Sequence, residues 1–183
     1  MNPIDILADT CGRGSKTFEI LVAHGNQVAR KAIKAAEQVS HLKPDFDFLV
    51  NAAMLHDIGI LQTNSPGLGC NGKHPYICHG ILGRKMLDSS GVSAYGLICE
   101  RHVGVGISAD DVHQFNLPLP AHDMRPISIE EQLICYADNF FSKNGDNGKQ
   151  AKEKSVKQIL NGLKRYGTDK VQRFQSWVEV FER

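Results

Sequence analysis

This sequence lacks most of the features that mark secreted, membrane-bound or disulfide-rich proteins. No apolar run approaches the roughly 18 residues that a membrane-spanning helix needs. The N-terminal segment MNPIDILADT has neither the basic start nor the apolar centre of a signal peptide. The five cysteines are odd in number and never spaced as C-x-x-C, which argues against a disulfide framework and against a zinc site made of thiolates. These absences together predict a cytoplasmic protein with reduced thiols.

An excess of charge of one sign is also lacking. The formal net charge is +1 over 183 residues, so the sequence predicts neither a nucleic-acid-binding nor a membrane-binding surface. Hydrophobic residues make up 42% of the chain, which is ordinary for a globular protein with a substantial core. We therefore expect a single domain over residues 1–183, with its core in about 16–142 and C-terminal helices in about 150–182.

Apolar residues recur at intervals of three and four through most of the chain, and this spacing predicts α-helices. The predicted helices cover about residues 16–42, 45–58, 75–89 and 93–103. A further helix begins at the capping box formed by Ser128 and Glu131. After a loop at 143–149, two amphipathic helices follow, the second beginning after Thr168. The apolar stripe of that last helix favours packing in the core, with a homodimer contact as the alternative.

No convincing alternation of period two is present, so the sequence predicts an all-α helical bundle. Two long loops interrupt it, at 62–76 and 104–126, and both are rich in glycine or proline. The first lies directly after the pair His56 and Asp57, which makes it a candidate lid or substrate contact. His113, in the second loop, is expected at the surface, as is His122.

Six histidine and aspartate residues lie on or beside the inward faces of five predicted helices. Each follows or precedes an apolar residue by three or four positions, a spacing that places both on one helix face. The six are His24, His56, Asp57, His79, His102 and Asp138. One buried histidine or one His–Asp pair is usually a satisfied core group. Six such groups without a further partner would leave too many desolvated donors and acceptors.

A metal centre would satisfy these groups. Imidazole and carboxylate ligands without thiolate suit divalent Fe, Mn, Co, Ni or Zn. Asp57 has two carboxylate oxygens and can bridge two ions. Together with His24, His56 and Asp138 it would hold one ion, and together with His79 and His102 it would hold the other. We therefore expect two divalent cations, with Asp57 and His56 as the central catalytic pair.

Five segments containing these residues follow one another in order between about residues 20 and 142. They read AHGNQVARKA, AAMLHDIGI, HGILGRKML, ERHVGVGIS and ISIEEQLICYADNF. Their order and spacing resemble the successive motif blocks of the HD-domain superfamily of metal-dependent phosphohydrolases. The resemblance implies an all-helical HD fold with metal at His24, His56, Asp57 and Asp138. His79 and His102 match the additional ligands of members that bind two metals.

The resemblance implies metal-assisted hydrolysis of a phosphate ester, and hence a small phosphorylated substrate such as a nucleotide. Two other functions stay open. Di-iron oxygenases of the same superfamily, such as the inositol oxygenase, share a six-ligand set and cleave C–C or C–P bonds with O₂. The second is a non-catalytic nucleotide sensor, although a domain that had lost its activity would be expected to have lost some of the metal ligands.

One position departs from the family pattern. Many relatives read H-D-I-G-K, whereas Ile60 stands here at the position of that lysine. The substrate-facing cation of that position is therefore absent, and the sequence offers four candidates to replace it without choosing among them: Lys73, Arg84, Arg101 and Lys143. His74 is a weak candidate for the group that protonates the leaving oxygen.

Overall fold

The computed structural model describes residues 2–143 and 152–182, and within these ranges it contains nine α-helices and one very small sheet. The helices are α1 (Pro3–Cys11), α2 (Lys16–Gln38), α3 (Phe46–Leu55), α4 (His79–Ser89), α5 (Ser93–Arg101), α6 (Ala109–Gln114), α7 (Ile129–Asp138), α8 (Val156–Leu163) and α9 (Thr168–Phe181). The strands β1 (Asn64–Ser65) and β2 (Cys70–Asn71) pair antiparallel. The predicted all-α class is confirmed.

Side-chain caps define several helix starts. The Ser15 hydroxyl accepts a hydrogen bond from the backbone N–H of Phe18 at 3.1 Å and begins α2. At the start of α7, the capping box of Ser128 and Glu131 is formed as the sequence predicts. A 3-10 turn at Ser40–Leu42 and another at Tyr76–Cys78 occupy parts of the predicted first and third helices.

Two helices were missed by the sequence analysis. The first, α1, begins at Pro3, with the Asn2 side chain accepting from the backbone N–H of Ile4. The second, α6, lies inside the segment predicted to be a loop at 104–126, so that prediction was wrong in this respect. Ser108 and Asp111 form its capping box, a signal that the sequence carries but that spans only six helical residues. Of the predicted loop at 143–149, only Lys143 lies within the described residues.

The core has two apolar clusters, which meet along α2 and α3. One cluster joins the C-terminal parts of α2 and α7 to α8 and α9, and it includes Phe174 and Trp177. The apolar stripe of α9 is therefore core packing. The other cluster joins α1 to the 3-10 turn Ile58–Gln62 and to α4. In α2, His24 lies between Leu21 of the second cluster and Val28 of the first. None of the helices in the described ranges is long and apolar enough to cross a membrane.

Candidate metal centre

His24 reaches the end of α3 because α2 and α3 approach each other closely at Gly25. A Cβ atom on Gly25 would lie 3.0 Å from Cα of Met54 and 3.1 Å from the carbonyl oxygen of Ala53. No other residue type fits this crossing without a shift, which explains a glycine in the middle of a long helix. The crossing brings His24 beside His56, which caps the C-terminus of α3.

Four of the six predicted residues form one compact group. Nε2 of His24 lies 2.8 Å from Oδ1 of Asp138 and 3.3 Å from Oδ2 of Asp57. Nε2 of His56 lies 3.1 Å from the same Asp57 oxygen. The potential ligand atoms of the four residues all lie within 4.8 Å of one another. We call His24, His56, Asp57 and Asp138 the first ligand group.

The remaining two residues join the opposite oxygen of Asp57. Nε2 of His79 and Nε2 of His102 each lie 3.4 Å from Oδ1 of Asp57, and they are 3.1 Å from each other. We call Asp57, His79 and His102 the second ligand group. The Asp57 carboxylate is thus divided, with Oδ2 facing the first group and Oδ1 facing the second. The structure brings all six predicted residues together around Asp57.

Backbone carbonyls fix the tautomers of three histidines. Nδ1 of His56 lies 2.7 Å from the carbonyl oxygen of Ala53, and Nδ1 of His79 lies 2.7 Å from that of Tyr76. Nδ1 of His102 lies 2.8 Å from the carbonyl oxygen of Cys99. A carbonyl only accepts, so Nδ1 carries a proton in each ring, and when the ring is neutral its lone pair faces the site through Nε2. This anchoring of the distal ring nitrogen is typical of histidines that bind metal.

Several buried polar atoms of the first ligand group lack a hydrogen-bond partner. They are Nδ1 of His24, Nε2 of His56 and both carboxylate oxygens of Asp57. Some lie within ion-pair distance of one another, but the angles do not satisfy hydrogen-bond geometry. Leaving one such buried group unsatisfied costs about 1–3 kcal/mol. Lone pairs and carboxylate oxygens that converge in this way are the donor set that a divalent cation requires, so the residues present fit metal ions.

Two of the four histidines beside Asp57, His56 and His79, differ in their pKa values. Burial lowers the pKa of His56, but the charges of Asp57 and Asp138 outweigh burial and raise it to about 10. Burial lowers the pKa of His79 to about 3, because the single nearby carboxylate of Asp57 does not compensate. Burial would raise the pKa of Asp57, but the positive charges of His56 and Lys143 hold it well below its usual range.

Among the four candidate cations, Lys143 is the one that the structure places at the site. Its ammonium nitrogen lies 2.7 Å from Oδ2 of Asp57, and its side chain is 11% exposed. Arg84 pairs instead with Glu100, and Arg101 with Glu131. The fourth candidate, Lys73, is exposed.

The position of the missing family lysine is occupied by apolar core. Ile60 is fully buried and belongs to the apolar cluster that includes Leu7 and Leu55. A lysine ammonium there would have to be desolvated among aliphatic side chains, which is unfavourable without a paired charge.

A cavity of about 420 Å³ opens beside the ligand groups. Its lining includes Tyr76, Phe141 and Lys143, together with Ser65 and Gly67 from the loop at 62–76. The loop that the sequence nominated as a substrate contact therefore borders the cavity. Burial of the Tyr76 hydroxyl and the charge of Asp57 raise the pKa of that hydroxyl to about 12, although part of the ring is exposed.

Gly59 has a role that the sequence analysis missed. The predicted helix runs to about residue 58, whereas α3 ends at Leu55 and Gly59 lies in the following 3-10 turn. A Cβ atom on Gly59 would lie 2.0 Å from the carbonyl oxygen of His79 and 2.3 Å from the backbone nitrogen of Gly83. The turn after Asp57 therefore packs directly on the first turn of α4, and this contact positions His79.

The remaining histidines lie outside the ligand groups. His74 is exposed, and its backbone pairs with that of residues 62–64. His113 is exposed, as expected. His122 is also at the surface, with its side chain 48% exposed, but its Nε2 lies 3.0 Å from a carboxylate oxygen of the buried Glu100.

Comparison with known proteins gives a consistent family assignment. The sequence matches the model of the HD domain over residues 21–142, which contains both ligand groups. It is 30% identical over 139 residues to an uncharacterized protein of Methanocaldococcus jannaschii, with 74% of this chain and 71% of that protein covered. No solved structure matches significantly.

Two further relatives are longer proteins. The tRNA (cytidine(56)-2'-O)-methyltransferase of Thermoplasma volcanium is 28% identical over 151 residues, which is 82% of this chain and 38% of the relative. The protein of the same name from Picrophilus torridus is 30% identical over 125 residues, which is 68% of this chain and 32% of the relative. The chain thus spans well under half of either methyltransferase. The match over residues 21–142 shows that this chain belongs to the HD domain family.

Proposed function

We propose that this protein is a phosphohydrolase that uses two divalent metal ions to hydrolyse a small phosphate ester, such as a nucleotide. The observation that carries the proposal is the divided carboxylate of Asp57, whose two oxygens face two separate ligand groups. Carboxylates shared in this way are typical of two-metal sites that act on phosphoryl groups. The cavity beside the ligand groups supplies a place for the substrate.

Divalent ions at such a site activate water as a nucleophile and neutralise charge on the phosphoryl oxygens. The protein's own residues prepare the site for that chemistry. His56 and the second-group histidines are held by backbone carbonyls, so their ligand nitrogens need little rearrangement when an ion binds. Asp57, at 1% exposure, is kept ionised and away from bulk water.

The donor set narrows the choice of metal without fixing it. Four imidazoles and two carboxylates, with no thiolate, suit Fe, Mn, Co, Ni or Zn. The transferase activity named for two relatives is not part of the proposal, because the chain spans only 38% and 32% of those proteins.

The experiment is a metal analysis followed by a substrate panel. Protein purified without chelators is assayed for bound metal and then loaded separately with each of the five ions. The loaded forms are tested against phosphomonoesters, phosphodiesters and nucleotides, with Asp57→Asn as the matched inactive control. Release of phosphate or of an alcohol that the control lacks supports the proposal. Oxygen consumption by the ferrous form, with no hydrolysis by any form, would overturn it in favour of an oxygenase.

A further inference from the structure

The ammonium group of Lys143 is a feature of the site that the proposed function leaves unused. It lies 2.7 Å from Oδ2 of Asp57, with the side chain only 11% exposed. Burying an ammonium group is unfavourable unless it has close counter-charges. Asp57 and Asp138 supply them, and they raise the pKa of Lys143 well above its ordinary value despite its burial.

The ammonium group of Lys143 contacts Oδ2 of Asp57, which is the oxygen that the first ligand group would offer to a metal ion. Oδ2 of Asp57 also lies 3.3 Å from Nε2 of His24 and 3.1 Å from Nε2 of His56. A divalent cation held by that oxygen and an ammonium group beside it repel each other strongly in a buried, weakly screened site. The ammonium group must therefore leave Oδ2 when the first ligand group is loaded with metal.

The surroundings of Lys143 indicate where the ammonium group goes. The residue lines the 420 Å³ cavity together with Phe141 and Tyr76, and its ammonium nitrogen is 5.9 Å from the centre of the Tyr76 ring. Its four-carbon stem is flexible and carries a point charge that binds phosphate oxygens well. Arg84 and Arg101 are engaged by carboxylates elsewhere, so neither offers its charge to the cavity.

We propose that Lys143 has two successive anionic partners, Asp57 in the metal-free protein and the phosphoryl group of the substrate in the metal-loaded protein. The proposal rests on the proposed function, since it requires a phosphorylated substrate. It assigns to Lys143 the role of the substrate-facing cation that Ile60 cannot fill. It also makes Lys143 a counter-ion that metal must displace.

The first test measures metal binding without any substrate. Lys143→Met keeps the length and apolar stem of the side chain and removes the charge, and Lys73→Met is the matched control at an exposed lysine. Mn²⁺ is titrated into chelator-treated protein by calorimetry. We expect Lys143→Met to bind the ion about tenfold more tightly than wild type, since the ion pair with Asp57 no longer has to be broken, while the control is unchanged. Unchanged or weaker binding by Lys143→Met would overturn the proposal.

The second test measures inorganic phosphate binding to the Mn²⁺-loaded proteins. We expect phosphate to bind about tenfold more weakly to Lys143→Met than to wild type, and Lys143→Arg to retain most of the affinity. Equal phosphate affinity in wild type and Lys143→Met would overturn the second half of the proposal. If Lys143→Met does not fold, as judged by circular dichroism, Lys143→Gln takes its place in both titrations with the same expected directions.

Neither titration depends on turnover. If the wild-type protein hydrolyses no phosphate ester, the proposed function fails, but the metal titration still decides whether Lys143 is displaced from Asp57. If the wild-type protein hydrolyses esters and the two affinities do not change, the role of Lys143 fails and the proposed function stands.

Discussion

The two ligand groups around Asp57 are built in different ways. The first group has two carboxylates, Asp57 and Asp138, and the buried ammonium of Lys143 lies against it. The second group has only the shared carboxylate and two histidines, and both of those rings are anchored by backbone carbonyls. The first is therefore the more highly charged site, in which the backbone carbonyl of Ala53 anchors His56, and the second has one carboxylate and two anchored rings.

This difference should give the two groups different metal affinities and different competitors for the metal. Two carboxylates attract a divalent ion more strongly than one, so the first group should bind its ion more tightly. To do so it must lose a proton from His56 and the contact with Lys143. The second group has no such competitors, but it depends on Asp57 for all of its negative charge. Occupation of the second group should therefore be weaker and less sensitive to pH.

The strongest way to break the comparison is to remove the charge that both groups share. Asp57→Asn keeps the shape of the side chain, and we expect it to lose both ions and to reduce phosphoester hydrolysis by at least about a thousandfold. Metal content is measured after gel filtration, and folding is checked by circular dichroism. A variant that keeps its full metal content and near-normal activity would return His56 and Asp57 to an ordinary buried pair.

Removing a ligand from the second group alone should have a smaller effect. We expect His79→Ala and His102→Ala each to reduce the metal content from about two ions per chain to about one, because the first group keeps its four ligands. Hydrolysis should fall on the order of a hundredfold, since one ion no longer stabilises the phosphoryl charge. Loss of all metal from either folded variant would show that the two groups are not separable.

The backbone support of the second group can be tested at Gly59. We expect Gly59→Ala to lower the free energy of unfolding by about 1–3 kcal/mol or more, because the new Cβ clashes with backbone atoms of α4. The displaced His79 should then bind metal weakly, while the first group stays loaded. Gly162→Ala, where a Cβ meets nothing within 4 Å, is the control and should be neutral or slightly stabilising. Equal stability and metal content in the two variants would contradict this role.

The smallest expected effect is the release of protons when metal binds. A metal ion binds only neutral imidazole, and the pKa of His56 is raised to about 10 in the metal-free protein. Loading the first group at pH 7 should therefore release about one proton from His56, whereas His79, with a pKa of about 3, releases none. Calorimetry in two buffers of different ionisation enthalpy gives the count. Equal proton release by wild type and by a His56→Ala variant would contradict the assignment.

The raised pKa of His56 also sets how stability and metal affinity change with pH. Because the pKa of His56 is raised above its unfolded value of about 6.5, its charged form stabilises the metal-free protein fully below that pH. That contribution is lost as the pH rises through about 10. Metal affinity runs in the opposite direction and should rise with pH over the same window. Affinity that is constant between pH 7 and pH 9 would contradict this account.

The sequence predicted the convergence of the six residues better than it predicted their surroundings. His24, His102 and Asp138 each lie three or four positions from a buried aliphatic residue, so the helical period alone turned them inward. Lys143 follows α7 in a segment without periodicity, and no local pattern distinguishes it from Lys73. Its place at Asp57 depends on how the chain turns after α7, which is a tertiary feature.

Other features of the fold escaped prediction for similar reasons. Gly25 carries a local signal of close approach, because a glycine inside a long helix lowers the helix propensity of that position. Gly59 carries no such signal in the sequence, since glycine near a helix end is common. The helix α6 has six residues, too few for a periodic pattern, and only its capping box marked it. The division of the Asp57 oxygens between two groups could not be read from residue spacing at all.

The most direct test of the account is anomalous diffraction from crystals of the Co²⁺-loaded protein. The account predicts two anomalous peaks on opposite sides of the Asp57 carboxylate, one also contacted by His24, His56 and Asp138, and the other by His79 and His102. In the same map, the Lys143 ammonium group should have left Oδ2 of Asp57. A single peak that all six residues share, or peaks that do not touch Asp57, would contradict the account.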